Sequence, residues 1–215
     1  MSARLRGQLS SNHGGSMRKQ FLGTILAVAL SAALVFAALA VAATIRGTQG
    51  DDVLTGTEGQ DTIIAKKGND QVDGLGEADR VLGGRGTDDI DGGDGDDNLR
   101  GGADADQVVG GLGNDSVRGK GGTDDLSGDD GNDSLNGGKN ADEIDAGAGD
   151  DTVRGRGDGK AADNIACGDG NDTVFADKND VVPTDCETVH RAGSNHGQGK
   201  GPKNAKGPKH GKGPQ

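Results

Sequence analysis

Between residues 52 and 151 an aspartate returns at every ninth position: Asp52, Asp61, Asp70, Asp79, Asp88, Asp97, Asp106, Asp115, Asp124, Asp133, Asp142 and Asp151. Glycines crowd around each of them, and their freedom to take positive φ lets a tight turn present bare carbonyl oxygens. Carboxylates interleaved with carbonyls make an all-oxygen donor set. Such a set suits a hard cation of flexible coordination. Calcium, which accepts about six to eight oxygens, fits it better than magnesium with its strict octahedron. Zinc and copper prefer His and Cys, and residues 47–154 contain neither. For any one of these aspartates a solvated turn is the ordinary reading; the twelvefold register is what points to a ligand.

The same register dictates the elements that must position the carboxylates. Units of nine run from Gly47 to Arg154 twelve times without insertion or deletion. Every eighth position is aliphatic: Leu54, Ile63, Val72, Val81, Ile90, Leu99, Val108, Val117, Leu126, Leu135, Ile144 and Val153. Glycine fills the fourth position in nine units and the first in ten, with Ala65 and Ala146 as the exceptions there. A low-complexity segment would share this composition but would not hold phase. The last three residues of a unit, such as Asp89-Ile90-Asp91, alternate polar and apolar like a short strand, and the first six read as a turn. One unit cannot bury its aliphatic side chain alone. Two units closing a coil, with coils stacked in parallel, make a continuous apolar ladder. Six such coils at about 4.8 Å each give a rod on the order of 30 Å long. Turns then alternate sides, so Asp88 is expected beside Asp70 and Asp106 rather than beside Asp97.

The units GGRGTDDID, GGDGDDNLR and GGLGNDSVR match the nonapeptide G-G-x-G-x-D-x-U-x, with U a large aliphatic residue. Over about half its length the chain resembles the RTX, or hemolysin-type, calcium-binding repeat proteins. That resemblance implies an all-β fold: a parallel β-roll, a right-handed β-solenoid with two repeats per coil. It implies several calcium ions held between neighbouring turns, with the twelve aspartates as carboxylate ligands and glycine-turn carbonyls completing each shell. Departures from the pattern carry their own expectations. Glu77, Asp104 and Asn140 replace glycine at the fourth position, and Glu takes a left-handed backbone poorly. Sites near Glu77 are therefore expected to be the weakest. Lys66 and Lys67 place positive charge beside Asp70 and weaken its case as a ligand.

Composition supports a thin repeat core. Of 215 residues 43 are Gly, none is Trp or Tyr, and the net charge is −12. Only Phe175 lies outside the N-terminal apolar run, so a deep aromatic core is excluded. A glycine-rich polyanion resists compaction unless cations neutralise it, which makes disorder the expected calcium-free state. The acidic balance argues against nucleic acid as the partner of the repeats. No H-E-x-x-H or G-x-S-x-G is present, and a regular aspartate row offers no pocket of contrasting environments. The chain is read as no enzyme, with no small-molecule substrate.

The ends are of other kinds. Residues 1–20 form an extension closing in the basic Met17-Arg18-Lys19-Gln20, and residues 21–43, FLGTILAVALSAALVFAALAVAA, are an apolar run ending in small residues. A cleaved signal peptide and a membrane anchor both fit this run. After Arg154 the phase slips by three residues in GRGDGKAADNIA and resumes in CGDGNDTVF. In this irregular stretch, 155–175, Asp163 and Asp172 are further candidate ligands. Residues 176–193, with Pro183 and no glycine before Gly193, read as a cap over the ladder's edge. Cys167 and Cys186 suggest a disulfide pinning cap to roll in an exported chain, with two buried thiols as the alternative. Residues 194–215 are a disordered basic tail repeating Lys-Gly-Pro, either a spacer or an adhesive for an acidic cell-envelope surface. The sum is a secreted or cell-surface calcium-binding roll of structural or adhesive role; the alternative is a calcium-binding accessory to an extracellular enzyme or to export.

Overall fold

The computed structural model describes residues 41–157 and 161–192. The N-terminal extension, the apolar run up to residue 40 and the Lys-Gly-Pro tail lie outside the described residues. Among the described residues no helix is long and apolar enough to cross a membrane.

The chain winds as an all-β solenoid, each strand through β13 pairing in parallel with the strand two ahead in sequence. One sheet takes β1 (Thr44–Arg46), β3 (Thr62–Lys67), β5 (Arg80–Arg85), β7 (Asn98–Ala103), β9 (Ser116–Gly121), β11 (Ser134–Lys139), β13 (Thr152–Arg154), β15 (Thr173–Ala176) and β16 (Thr188–Arg191). The facing sheet takes β2 (Val53–Thr55), β4 (Gln71–Asp73), β6 (Asp89–Asp94), β8 (Gln107–Leu112), β10 (Asp125–Asp130), β12 (Glu143–Asp145) and β14 (Asn164–Ala166). Strand register sets Val81 against Leu99 and Leu99 against Val117 in the first sheet, and Ile90 against Val108 in the second. Each eighth-position residue thus stacks on its counterpart one coil away. From Ile63 to Val174 these side chains are sealed from solvent and form the core. The two ladders meet in a single thin layer.

Two expectations are corrected. The turn is shorter than six residues, because the central strands run on across the unit boundary through positions one to three, as β5 to β11 do. Continuing the strand pairs backbone groups that a longer turn would leave unbonded. The first residue of a unit consequently points inward, where there is no room for bulk: a Cβ on Gly83 would lie 2.6 Å from the Gly101 carbonyl oxygen and 2.4 Å from Asp88 Oδ2. The solenoid also outlasts its twelve regular units. The irregular stretch adds β14 and β15, and the cap contributes β16 as the sheet's last strand, giving about eight turns in place of six. Across the irregular stretch the hydrogen-bonding step lengthens from 18 to 21 residues without breaking the ladder. Cys167 and Cys186, both buried, form a disulfide with Cα atoms 5.4 Å apart.

Backbone strain gathers at two positions of the unit. Glu77, Asp104 and Asn140 hold φ of 62°, 77° and 74° at position four. Position two is left-handed as well, with Lys66 at 87°, Leu75 at 81°, Lys120 at 90° and Asp129 at 68°.

Candidate metal centre

Each turn carries its aspartate to the edge of the roll, and the winding sorts the aspartates into two rows. Asp52, Asp70, Asp88, Asp106, Asp124, Asp142 and Asp163 line one edge; Asp61, Asp79, Asp97, Asp115, Asp133, Asp151 and Asp172 line the other. Asp88 does stand between Asp70 and Asp106: the Asp70 N–H donates to Asp88 Oδ1 at 3.0 Å, and the Asp88 N–H donates to Asp106 Oδ1 at 2.9 Å. The second row repeats the pattern, from the Asp61 N–H to Asp79 Oδ1 at 2.7 Å through to the Asp151 N–H on Asp172 Oδ1 at 2.9 Å. Every rung joins adjacent coils. The first row then continues onto Asp180, whose Oδ1 accepts the Asp163 N–H at 3.1 Å, and the second onto Glu187, whose Oε2 accepts the Asp172 N–H at 2.8 Å. Both of these closing carboxylates belong to the cap and were not expected from the repeat pattern.

The second oxygen of these carboxylates is treated differently along the rows. In Asp70, Asp88, Asp106, Asp124, Asp79, Asp97, Asp115, Asp133, Asp151 and Asp172, Oδ2 is shut off from solvent and accepts no hydrogen bond. A buried carboxylate oxygen with no donor is costly. The cost appears in the proton affinities. Burial, reinforced by neighbouring aspartates of the same row, raises Asp79, Asp88, Asp97 and Asp151 to about 6, and Asp106 and Asp133 to about 7. Asp115, Asp124 and Asp172 are raised for the same first reason. In each case the N–H of the preceding aspartate pulls the other way without offsetting the burial.

At the N-terminal end the carboxylates are already satisfied. Asp52 Oδ2 accepts the Thr48 N–H at 2.5 Å, and Asp61 Oδ2 accepts the Thr57 N–H at 2.5 Å. Threonine at position two makes this possible, since the left-handed residues found there in later units turn their N–H elsewhere. Lys66 fills a similar role in the first coil, its ammonium donating to the Gly47 carbonyl. The lysine expected to disturb Asp70 thus bonds a backbone carbonyl of the coil before it.

Outside the two rows a further ladder was missed in the sequence. At position five, Asn and Asp side chains accept the N–H of the residue one coil on: Asn69 Oδ1 from Thr87, Asp96 Oδ1 from Asn114 and Asn132 Oδ1 from Asp150, at 2.7–2.9 Å. The Asn114 N–H and then its side-chain amide hold Asp96 below the usual carboxylate range. The recurrence of Asn or Asp just before the sixth-position aspartate was the available signal.

The donor chemistry of the rows is oxygen alone. Among the described residues no three His, Cys, Asp or Glu side chains converge on one point, so a cation at the rows must draw on backbone carbonyls as well as on carboxylates. The orphaned, desolvated Oδ2 atoms fit that requirement, and a mixed oxygen shell is what calcium accepts. No curated protein matches the chain, and no solved structure matches it. The family described as RTX calcium-binding nonapeptide repeat (4 copies) matches at residues 46–81, 82–117 and 118–153. Three matches of four units reproduce the twelve units counted in the sequence. With half of its residues in those repeats and its strands wound as a parallel β-roll, the chain belongs to the RTX calcium-binding nonapeptide-repeat family.

Proposed function

We propose that this protein is an extracellular, non-catalytic rod whose two aspartate rows bind calcium and whose folding is completed by that binding. The supporting observation is the run of buried Oδ2 atoms that accept no hydrogen bond. In the first row Asp70, Asp88, Asp106 and Asp124, continued by Asp142 and Asp163, would hold the ions; in the second, Asp79, Asp97, Asp115, Asp133, Asp151 and Asp172. Calcium bound there supplies the positive charge that the stacked carboxylates lack. Asp52 and Asp61, held by Thr48 and Thr57, serve as a closed edge and contribute least to binding.

Burial shifts the row carboxylates in one common direction instead of pushing a facing pair apart as acid–base catalysis requires, which supports the non-catalytic reading. The disulfide and the N-terminal apolar run favour an oxidising, extracellular setting. Calcium modules outside cells bind at about 0.1–1 mM, so the chain would stay unfolded at cytoplasmic calcium and fold after export. A structural or adhesive role at the cell envelope follows, with the basic tail as the contact to acidic surfaces. The test is circular dichroism of the full chain titrated with calcium, with magnesium as control. A cooperative gain of β signal in calcium alone is expected; a coil spectrum at about 5 mM calcium, well above that affinity range, would sink the reading.

A further inference from the structure

The net charge conceals a separation between the two sheets. Within its strands the nine-stranded sheet carries eleven Lys or Arg and no Asp or Glu, whereas the seven-stranded sheet carries nine Asp or Glu and no Lys or Arg. Positions seven and nine of each unit face outward on either side of the buried eighth residue, so these charges line the outer faces. On the basic face Arg100 pairs in register with Arg118. Their hydrogen bonding is thin: Arg118 Nη1 reaches only Asn98 Oδ1 at 3.4 Å, and Arg100 Nε is buried without an acceptor. On the acidic face Asp73 stands in register with Asp91, and burial followed by Asp73, Asp129 and Asp89 raises the proton affinity of Asp91. Like charges crowd on each side with no opposite charge within the same sheet.

We infer that the basic face of one roll docks on the acidic face of a second copy, so that rolls stack laterally in an open array. Both halves of the contact lie on the same chain, and both repeat at the coil spacing, so one partner relieves the two unbalanced faces together. A foreign polyanion would meet only the basic side and would be repelled by the rest of a chain of net charge −12. Shape agrees with charge. The acidic face holds a shallow groove floored by Gly93, Gly111 and Gly147 and walled by Asp94, Asp129 and Asp130. Long arginine and lysine side chains can lie along such a floor with their heads on the carboxylates. Half-exposed Leu112, 52% accessible, adds an apolar contact at the same place. Three strands of six residues and four of three present on the order of 500 Å² per partner, the size of a small interface held largely by charge. The contact uses different patches on the two copies, so it does not close on itself and propagates.

The inference rests on the fold and not on which cation the rows bind. Sedimentation velocity of the full chain in calcium, at about 20 mM and about 0.5 M sodium chloride, brackets weak and strong screening; circular dichroism of the same samples reports the folded roll. Large, concentration-dependent species at low salt that dissociate to monomer at high salt are expected. Two face variants, Arg100→Glu with Arg118→Glu and Asp94→Lys with Asp130→Lys, should each lose the large species when alone. Mixed one to one they retain one native face apiece and should return a species of twice the monomer mass. A folded wild type that stays monomeric at low salt overturns the inference, as do face variants that associate like wild type. Capture of soluble heparin by a monomeric wild type would instead assign the basic face to a polyanion.

Discussion

Removing calcium should make the roll an acid-stable protein. In the folded roll the six aspartates with the strongest proton affinity move from an ordinary 3.8 to about 6 or about 7, with burial as the first cause. Unfolded, they titrate near the ordinary value. Below about pH 4 both states hold these protons and the folded state bears no penalty; from there up to the folded values of about 6 to 7 the unfolded chain has released protons that the roll still keeps, so stability falls across that window and levels off above it. A two-unit shift equals about 3 kcal/mol at most, and screening at the edge of the roll reduces it to about 1 kcal/mol per aspartate. Six such groups amount to on the order of 6 kcal/mol, comparable to the whole stability of a small domain. Calcium-free protein prepared by dialysis should therefore show β signal at about pH 4.5 and coil at about pH 7.5, with millimolar calcium restoring the fold at the higher pH. Asp106→Asn should act with opposite signs, easing the calcium-free fold at neutral pH while weakening the response to calcium. A calcium-free roll that melts at the same temperature at both pH values would refute the reasoning.

Two further outcomes follow from packing and connectivity. Gly131→Ala places a Cβ 1.6 Å from the Gly113 carbonyl oxygen at φ +143°, whereas Gly121→Ala meets nothing within 4 Å; thermal melts in calcium should show a loss of at least about 2 kcal/mol for the first and near-neutrality for the second. Replacing Cys167 and Cys186 by Ser opens a link spanning 19 residues and should cost about 3 kcal/mol, read as a lower melting temperature in calcium with the β signal of the central coils retained.

The period of nine, the inward aliphatic ladder and the pairing of Asp88 with Asp70 and Asp106 were legible because each repeats without exception, and a side chain that must be buried or bonded in every coil leaves an invariant residue type. What escaped lies where the code is looser. Left-handed backbone at position two is occupied by Gly84, Lys66, Leu75 and Asp129 alike, so residue type did not announce it. The cap's Asp180 and Glu187 sit at separations of 17 and 15 residues from the rungs they close, off any period. The charged faces were hidden by a period twice the one counted: Arg100 and Arg118 alternate with Val109, and Asp73 and Asp91 with Leu82. Reading every second unit separately would have revealed them. Within the rows the sequence singled out Asp70 and the sites near Glu77, whereas the structure divides the aspartates by whether a neighbouring Thr48 or Thr57 reaches the second oxygen.

The aspartate rungs all point one way. Along both rows the sixth-position N–H is held by the carboxylate of the coil that follows in sequence, so this part of each coil's edge is completed by its successor. A roll cut short at any coil would therefore leave the sixth-position N–H groups of its last coils without a carboxylate to hold them. Asp180 and Glu187 end that progression by closing the last two rungs from within the cap. Without the cap, the Asp163 and Asp172 N–H groups would have no carboxylate to hold them, so the cap blunts an edge that would otherwise be open to further pairing.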